Sequence, residues 1–165
     1  MALSSDILRS YRSPRAVLRA LLARDRREAR ALFYLLLACA LVFVAQWPRL
    51  AREAHLSDAI PLQGLMAGAL FGWLFIAPLF LYGIGSLLGL VLRLAQPGVD
   101  GFAVRLALFW ALLVVSPLVL LQGALAALAG PGALALITGV AVLGVFGAVL
   151  IAGLRVALEA GRSAA

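Results

Sequence analysis

Two long stretches of this chain carry no charged residue. One runs from Ala59 to Leu92 and contains 34 residues, and the other runs from Leu106 to Leu154 and contains 49. Uninterrupted apolar runs of about 18 residues or more are typical of membrane-spanning helices. The strands of a transmembrane β-barrel instead alternate apolar and polar side chains. The pattern therefore predicts an all-α fold, a polytopic transmembrane helical bundle.

Turn-forming and charged residues divide the apolar sequence into about four spans. Turn formers occupy residues 96–101 and 130–132, and both segments are expected to be loops. Pro48 is expected to end the first span, and the residues after it to form a short interfacial helical turn. The predicted spans, which belong to a single transmembrane domain over 31–165, are residues 31–47, 61–94, 102–129 and 133–159.

The second span is longer than a membrane requires. Its 34 residues would form a helix of about 51 Å, whereas the hydrocarbon core is about 30 Å thick. Either one long helix is tilted and kinked at Pro78, or two half-spans meet near Gly83–Gly85. We favour the single kinked helix because no charged or turn-rich linker divides the segment. Pro117 is expected to kink the third span in the same way.

Residues 1–30 have the pattern of two short amphipathic helices separated by Ser13-Pro14. In the second helix Val17, Leu18, Leu21 and Leu22 share one face, and the Arg residues lie elsewhere on the wheel. This pattern is typical of a helix that lies in the headgroup plane of a membrane. Packing of the same face on a soluble partner is the alternative.

Charge distribution indicates the orientation in the membrane. The chain has 14 Arg, no Lys and seven acids, a net charge of +7, and eight of the Arg lie within residues 1–30. With both termini in the cytoplasm, only Arg49 and Arg52 lie outside, as the positive-inside rule favours. Nucleic acid is not an expected partner, because only Tyr11 is interleaved with the basic residues. The Arg residues expected to contact anionic lipid headgroups are Arg12, Arg15, Arg19, Arg26, Arg27, Arg30, Arg93, Arg105 and Arg155.

Candidate catalytic chemistry is sparse. The single His, His55, lies too close in sequence to Ser57 and Asp58 for the geometry of a catalytic triad. With Glu53 this segment has the residues of a weak metal site, and a solvated loop is the alternative that we prefer. The lone Cys39 is expected to be a packed thiol in a retained helix rather than a lipid attachment site. We therefore expect neither enzymatic activity nor a cofactor.

The predicted spans have no ionisable residue near their middle, which argues against transport driven by ions or protons. Their neutral polar residues are expected to form hydrogen bonds to neighbouring helices or to their own helical turn. These residues are Ser86, Ser116, Gln122 and Thr138.

Glycines recur at the spacing that lets membrane helices approach closely. Gly64, Gly68 and Gly72 repeat every four residues, and Gly85 and Gly89 repeat the spacing further along. We expect these positions to pack against helices. The neighbour is either another span of this chain, or a second copy or a different membrane protein.

Three short segments carry a family resemblance: Tyr-Arg-Ser-Pro-Arg at 11–15, Ser-Pro-Leu at 116–118 and Gly-Leu-Arg-Val-Ala-Leu at 153–158. With the order of spans, they resemble the bacterial branch of the Yip1-domain membrane proteins. The resemblance implies a non-enzymatic protein of the bacterial inner (cytoplasmic) membrane. The family is usually drawn with five spans, so the alternative of two half-spans within 61–94 stays open. Eukaryotic members contact small GTPases through an Asp- and Tyr-bearing motif that this sequence lacks, so that partner is not implied.

Two functions from different classes fit this sequence. The first is a scaffold or accessory subunit that binds another membrane protein or organises lipid. The alternative is a small passive pore or carrier for a neutral solute. A continuous polar cavity through the spans would favour transport, and a dry interior with an exposed glycine face would favour the scaffold.

Overall fold

The structure, a computed structural model, describes residues 3–24, 27–56, 61–129 and 132–162, and within them all regular secondary structure is helical. This confirms the predicted all-α class. In chain order the elements are α1 (Leu3–Arg12), α2 (Pro14–Ala23), α3 (Glu28–Leu56), α4 (Leu62–Phe71), a π-helical turn (Gly72–Ile76), α5 (Ala77–Ala95), α6 (Gly101–Ala129) and α7 (Ala133–Arg162).

Four helical segments are long and apolar enough to cross a membrane. They are Glu28–Leu56, Leu62–Ala95, Gly101–Leu128 and Ala133–Arg162. The prediction of a polytopic bundle with about four spans is confirmed, and the chain is a multi-pass membrane protein. The second and third predicted spans agree with these segments to within one residue at each end. The first and fourth segments extend beyond the predicted spans into polar residues.

α6 is the central helix of the bundle. In its most apolar part 61% of the residues are buried, against 6% in α7. Most of its residues between Ala103 and Ser116 are buried, and α3, α5, α7 and α1 all contact it. The sequence does not show that α6 rather than α7 is the central helix, because both helices are continuously apolar.

Side-chain and backbone contacts set the direction of each helix relative to α6. Tyr34 stacks edge-on against Trp110 with ring centroids 5.1 Å apart, and Ala45 lies beside Gly123, so α3 and α6 run parallel. Gly85 lies against Arg105 and Gly89 against Gly101, so α5 runs antiparallel to α6. Contacts between α6 and α7 pair Ala107 with Gly153 and Gln122 with Gly139, which makes α7 antiparallel as well.

α3 continues through Pro48, so the helix does not end where the first span was predicted to end. Proline removes the one backbone hydrogen bond that its N–H would have donated, here to the carbonyl of Val44. The turns that follow are not detached from the bundle, because Leu50 is buried. Tertiary packing therefore holds the helix together where the local sequence predicts a break.

The segment Leu62–Ala95 is one continuous helical span rather than two half-spans. Its irregularity is the π-helical turn Gly72–Ile76, which ends immediately before the first turn of α5. Pro78 lies in that first turn and has no N–H to donate. A π-helical turn accommodates an extra residue and so rotates the faces of α4 and α5 relative to each other.

Candidate interaction surfaces

One end of the bundle collects most of the positive charge. It consists of α1, α2, the start of α3, the end of α5, the start of α6 and the end of α7, and we call it the Arg-rich end. Gln96 Nε2 donates a hydrogen bond of 2.9 Å to the Leu158 carbonyl there, and Gly98 lies against the backbone of Gly161. Of the thirteen Arg residues that the structure describes, eleven lie at this end, and Arg49 and Arg52 lie at the far end.

The Arg residues predicted to contact lipid headgroups are distributed around the Arg-rich end. Arg30 and Arg105 are half-buried, and Arg26 lies outside the described residues. Contact with anionic headgroups stays a prediction for the positively charged surface that the others form. The exposed members are Arg12, Arg15, Arg19, Arg27, Arg93 and Arg155.

Arg105 joins three helices at this end. Its guanidinium pairs with the Glu28 carboxylate at the start of α3 and lies 5.4 Å from the ring centroid of Tyr82 in α5. Only 18% of its side chain is exposed, so the pair is better shielded from water than the Arg19–Glu159 pair of 2.7 Å, both of whose side chains are largely exposed. Arg105 is therefore positioned to hold the bundle together, whereas sequence analysis assigned it to lipid.

The apolar face of α2 packs inside this chain. Val17, Leu18 and Leu21 are at most 4% exposed, and α2 contacts α7. Gly153 makes room for this contact, because a Cβ atom at that position would lie 3.2 Å from Leu18 Cδ2. The expectation that this face enters lipid is not what the structure shows. An apolar stripe indicates only that its side chains avoid water, and here other helices bury them.

Two hydrogen bonds made by side chains attach α1 to α6. Trp110 Nε1 donates to Ser10 Oγ at 3.0 Å, and Tyr11 Oη donates to the Val114 carbonyl at 2.5 Å. Burial raises the pKa of the Tyr11 phenol above its ordinary value of 10.0, so its hydroxyl stays a donor at neutral pH. These bonds and the packing of α2 fix residues 3–24 on the bundle.

Pro117 lies within α6, as predicted, and leaves the Leu113 carbonyl without its usual donor. Ser116 Oγ supplies that donor at 2.8 Å, and Thr138 Oγ1 bonds in the same way to the Leu134 carbonyl at 2.8 Å. Both hydroxyls thus bond to their own helix, as expected. Among the described residues, the side chains of Ser86 and Gln122 have no hydrogen-bond partner.

The two glycine groups have different surroundings despite their common spacing. At Gly85 an added Cβ atom would lie 3.1 Å from Arg105 Cγ, and at Gly89 it would lie 3.3 Å from Gly101 Cα, so both lie close against α6. At Gly68 and Gly72 an added Cβ atom would meet no described atom within 4 Å. Gly64 and Gly68 are exposed. We call Gly64, Gly68 and Gly72 the glycine row; its packing partner stays a prediction.

The far half of the bundle contains three open clefts. The first, of about 530 Å³, separates α3 from α4 and is lined by Arg49, Glu53, Gly64, Gly68 and Trp73 among others. The second, between α3 and α6, has about 380 Å³, and the third, between α6 and α7, has about 300 Å³. The Arg-rich half is instead filled by large buried side chains, among them Phe109, Trp110, Leu35 and Leu106.

No catalytic or metal-binding cluster emerges from the described residues. Within them, no group of three or more His, Cys, Asp or Glu side chains is placed to share a metal ion. Asp58, one member of the weak metal site considered above, lies outside the described residues. Cys39 is a buried thiol inside α3.

Comparison with known protein families, with curated proteins and with solved structures finds no match to this chain.

Proposed function

We propose that this chain is a non-enzymatic scaffold or accessory subunit of a bacterial inner membrane, of Yip1-like type, and that it binds another membrane protein or a second copy. Its Arg-rich end faces the cytoplasm, where the exposed Arg residues contact anionic lipid headgroups. The support for this orientation is the division of the described Arg residues, eleven at one end and two at the other.

The glycine row is the observation that carries this proposal. Small residues at a spacing of four let the backbones of two membrane helices approach closely. Gly85 and Gly89 have this spacing and a helix of the same chain beside them, whereas Gly68 and Gly72 have open space where a side chain would be. Gly64 and Gly68 line the open cleft between α3 and α4, and a partner helix seated over that cleft would give the row the neighbour that it lacks here.

Buried side chains weigh against the alternative of a passive pore or carrier. The clefts of the far half end at the level of the dense Arg-rich half, where Phe109, Trp110 and Leu113 are almost fully buried. A solute path would need these large side chains to separate. The closely packed Arg-rich half and the open glycine row both support a scaffold over a pore.

The test replaces one open glycine on the row and one on a different helix. Gly68→Leu adds a side chain to the proposed docking face, and the matched control Gly144→Leu adds one to open space on α7. We expect both variants to keep the thermal stability of the unmodified chain in detergent. Only Gly68→Leu should reduce copurification of the partner or of a second, differently tagged copy. Equal copurification of both variants would contradict the proposed docking face.

A further inference from the structure

The cleft between α3 and α6 exists because α4 leaves the surface of α6. α5 covers one face of α6 in the Arg-rich half, with contacts at Gly101, Arg105 and Leu108. Continued at intervals of three and four residues, this face passes through Val119, Gln122 and Ala126 in the far half. There α4 packs on α3. The face is left open as a cleft of about 380 Å³, lined by Ala45, Gln46, Arg49, Val119, Gln122, Gly123 and Ala126.

Gln122 is the polar group in this cleft that the protein does not satisfy. It lies seven residues before the end of α6, about 10 Å from that helix end along the axis. Ser116 and Thr138, the other polar side chains of α6 and α7 in this region, bond to carbonyls of their own helices. The Gln122 amide has no hydrogen-bond partner among the described residues. A ligand with a carbonyl group at this depth would provide the missing acceptor.

A second cleft is bordered by the same side chain and is mainly apolar. Gln122 also lines the opening of about 300 Å³ between α6 and α7, so one residue borders both spaces. The second cleft extends toward the middle of the span as far as Leu118 and Val145. Its remaining walls are apolar apart from Thr138, whose hydroxyl is already bonded. This space suits an alkyl chain. It is lined by Leu118, Leu121, Gln122, Leu125, Thr138, Ala141, Val142 and Val145.

The outer rim of the first cleft carries a cation. Because Ala45 lies beside Gly123, Arg49 lies about five residues, or about 7.5 Å, further along the axis than Gln122. Arg49 Nε donates to Gln46 Oε1 at 3.1 Å, and Arg49 Nη1 lies 3.8 Å from a Glu53 carboxylate oxygen. These two partners orient the guanidinium and leave several of its five N–H donors available. A phosphate at the rim is complementary to these donors.

We propose that the linked clefts hold one phospholipid of the leaflet at the far end of the bundle. Its phosphate accepts hydrogen bonds from Arg49, one ester carbonyl accepts a hydrogen bond from Gln122 Nε2, and one acyl chain lies between α6 and α7. The order of groups along the axis, cation, then amide, then apolar cleft, is the order of phosphate, ester and chain in a phospholipid. The site goes beyond the proposed docking function. Arg49 also lines the cleft beside the glycine row, whereas Gln122 does not, so Gln122→Leu tests the lipid site independently of the docking face.

The experiment measures phospholipid retained by the whole chain after purification in a mild detergent, by native mass spectrometry. We expect about one phospholipid per chain in the unmodified protein. Gln122→Leu removes the amide, and Arg49→Gln removes the cation. Each should lower retention, and raise the concentration of added phosphatidylethanolamine needed to restore it, by roughly fivefold.

Two matched controls separate this site from lipid that merely surrounds the protein. Thr138→Val alters the wall of the apolar cleft but removes a hydroxyl that bonds to its own helix. Arg52→Gln removes an exposed cation of the same helix that does not line the cleft. Both should retain lipid as the unmodified chain does. Absence of a retained phospholipid, or equal retention in all four variants, would overturn the proposal. Arg49 is largely exposed, so Arg49→Gln supplies a folded test should Gln122→Leu fail to fold.

Discussion

Leu18→Ala tests whether α2 is part of the bundle or a helix that rests in the membrane surface. Leu18 is 1% exposed and packs between α7 and the buried core around Ala107. Truncation of a buried Leu to Ala typically costs about 2–5 kcal/mol, because the apolar contact is lost and a cavity is left. We expect a cost in this range, expressed mainly as detachment of α1 and α2, since these two helices contribute the fewest contacts with the spans.

Hydrogen exchange of the amides of residues 3–24 measures this detachment directly. A loss of about 2 kcal/mol or more raises the population of the detached state roughly 30-fold, and exchange in the local-opening regime accelerates by the same factor. Leu8→Ala is the matched control, because Leu8 belongs to the same segment and is 68% exposed. Exchange in the Leu18→Ala variant no faster than in Leu8→Ala would refute the packing of α2 on the bundle.

Three further predictions address the other contacts of the Arg-rich end. Tyr11→Phe removes the donor to the Val114 carbonyl and should destabilise the protein by about 1 kcal/mol in a thermal or denaturant titration. Tyr34→Phe is the control and should cost less, because the Tyr34 hydroxyl has no hydrogen bond among the described residues. Equal costs for the two variants would contradict the Tyr11 hydrogen bond. A double-mutant cycle of Arg105→Gln and Glu28→Gln should give a coupling free energy of about 1 kcal/mol, because the partial exposure of Glu28 lets water screen the pair. This coupling should exceed that of the more exposed Arg19–Glu159 pair. The reverse order would contradict the structural role of Arg105. A reporter enzyme that is active only outside the cytoplasm should be inactive when fused after Ala165 and active when inserted after Leu56, and activity after Ala165 would contradict the orientation.

The number and order of the spans could be predicted because they depend on local sequence. Charge-free runs of membrane length and two turn-rich segments separate the helices whatever their packing. Continuation of α3 through Pro48 could not be predicted, because it depends on the burial of Leu50 by other helices. The π-helical turn before Pro78 could not be predicted for the same reason, because the local sequence does not specify it.

The surfaces were less predictable than the spans, because sequence patterns do not identify the neighbour. The apolar stripe of α2 is equally compatible with lipid and with α7, and only the contact of Leu18 with Gly153 distinguishes them. Gly85 and Gly68 have the same spacing to a neighbouring glycine, yet one lies against Arg105 and the other is open. Gly123, which lies against the Ala45 carbonyl, has no spacing signal, and the cleft beside Gln122 requires the positions of three helices.

Photocrosslinking from the glycine row in native membranes tests the central claim most directly. A photoreactive amino acid replaces Gly68 in one variant and Gly144 in the control, both at positions where a side chain meets open space. We predict a discrete adduct with a second polypeptide from position 68, which Gly72→Leu suppresses, and no such adduct from position 144. The same adducts from both positions, or lipid adducts alone at position 68, would contradict the claim that this face of α4 binds a membrane protein.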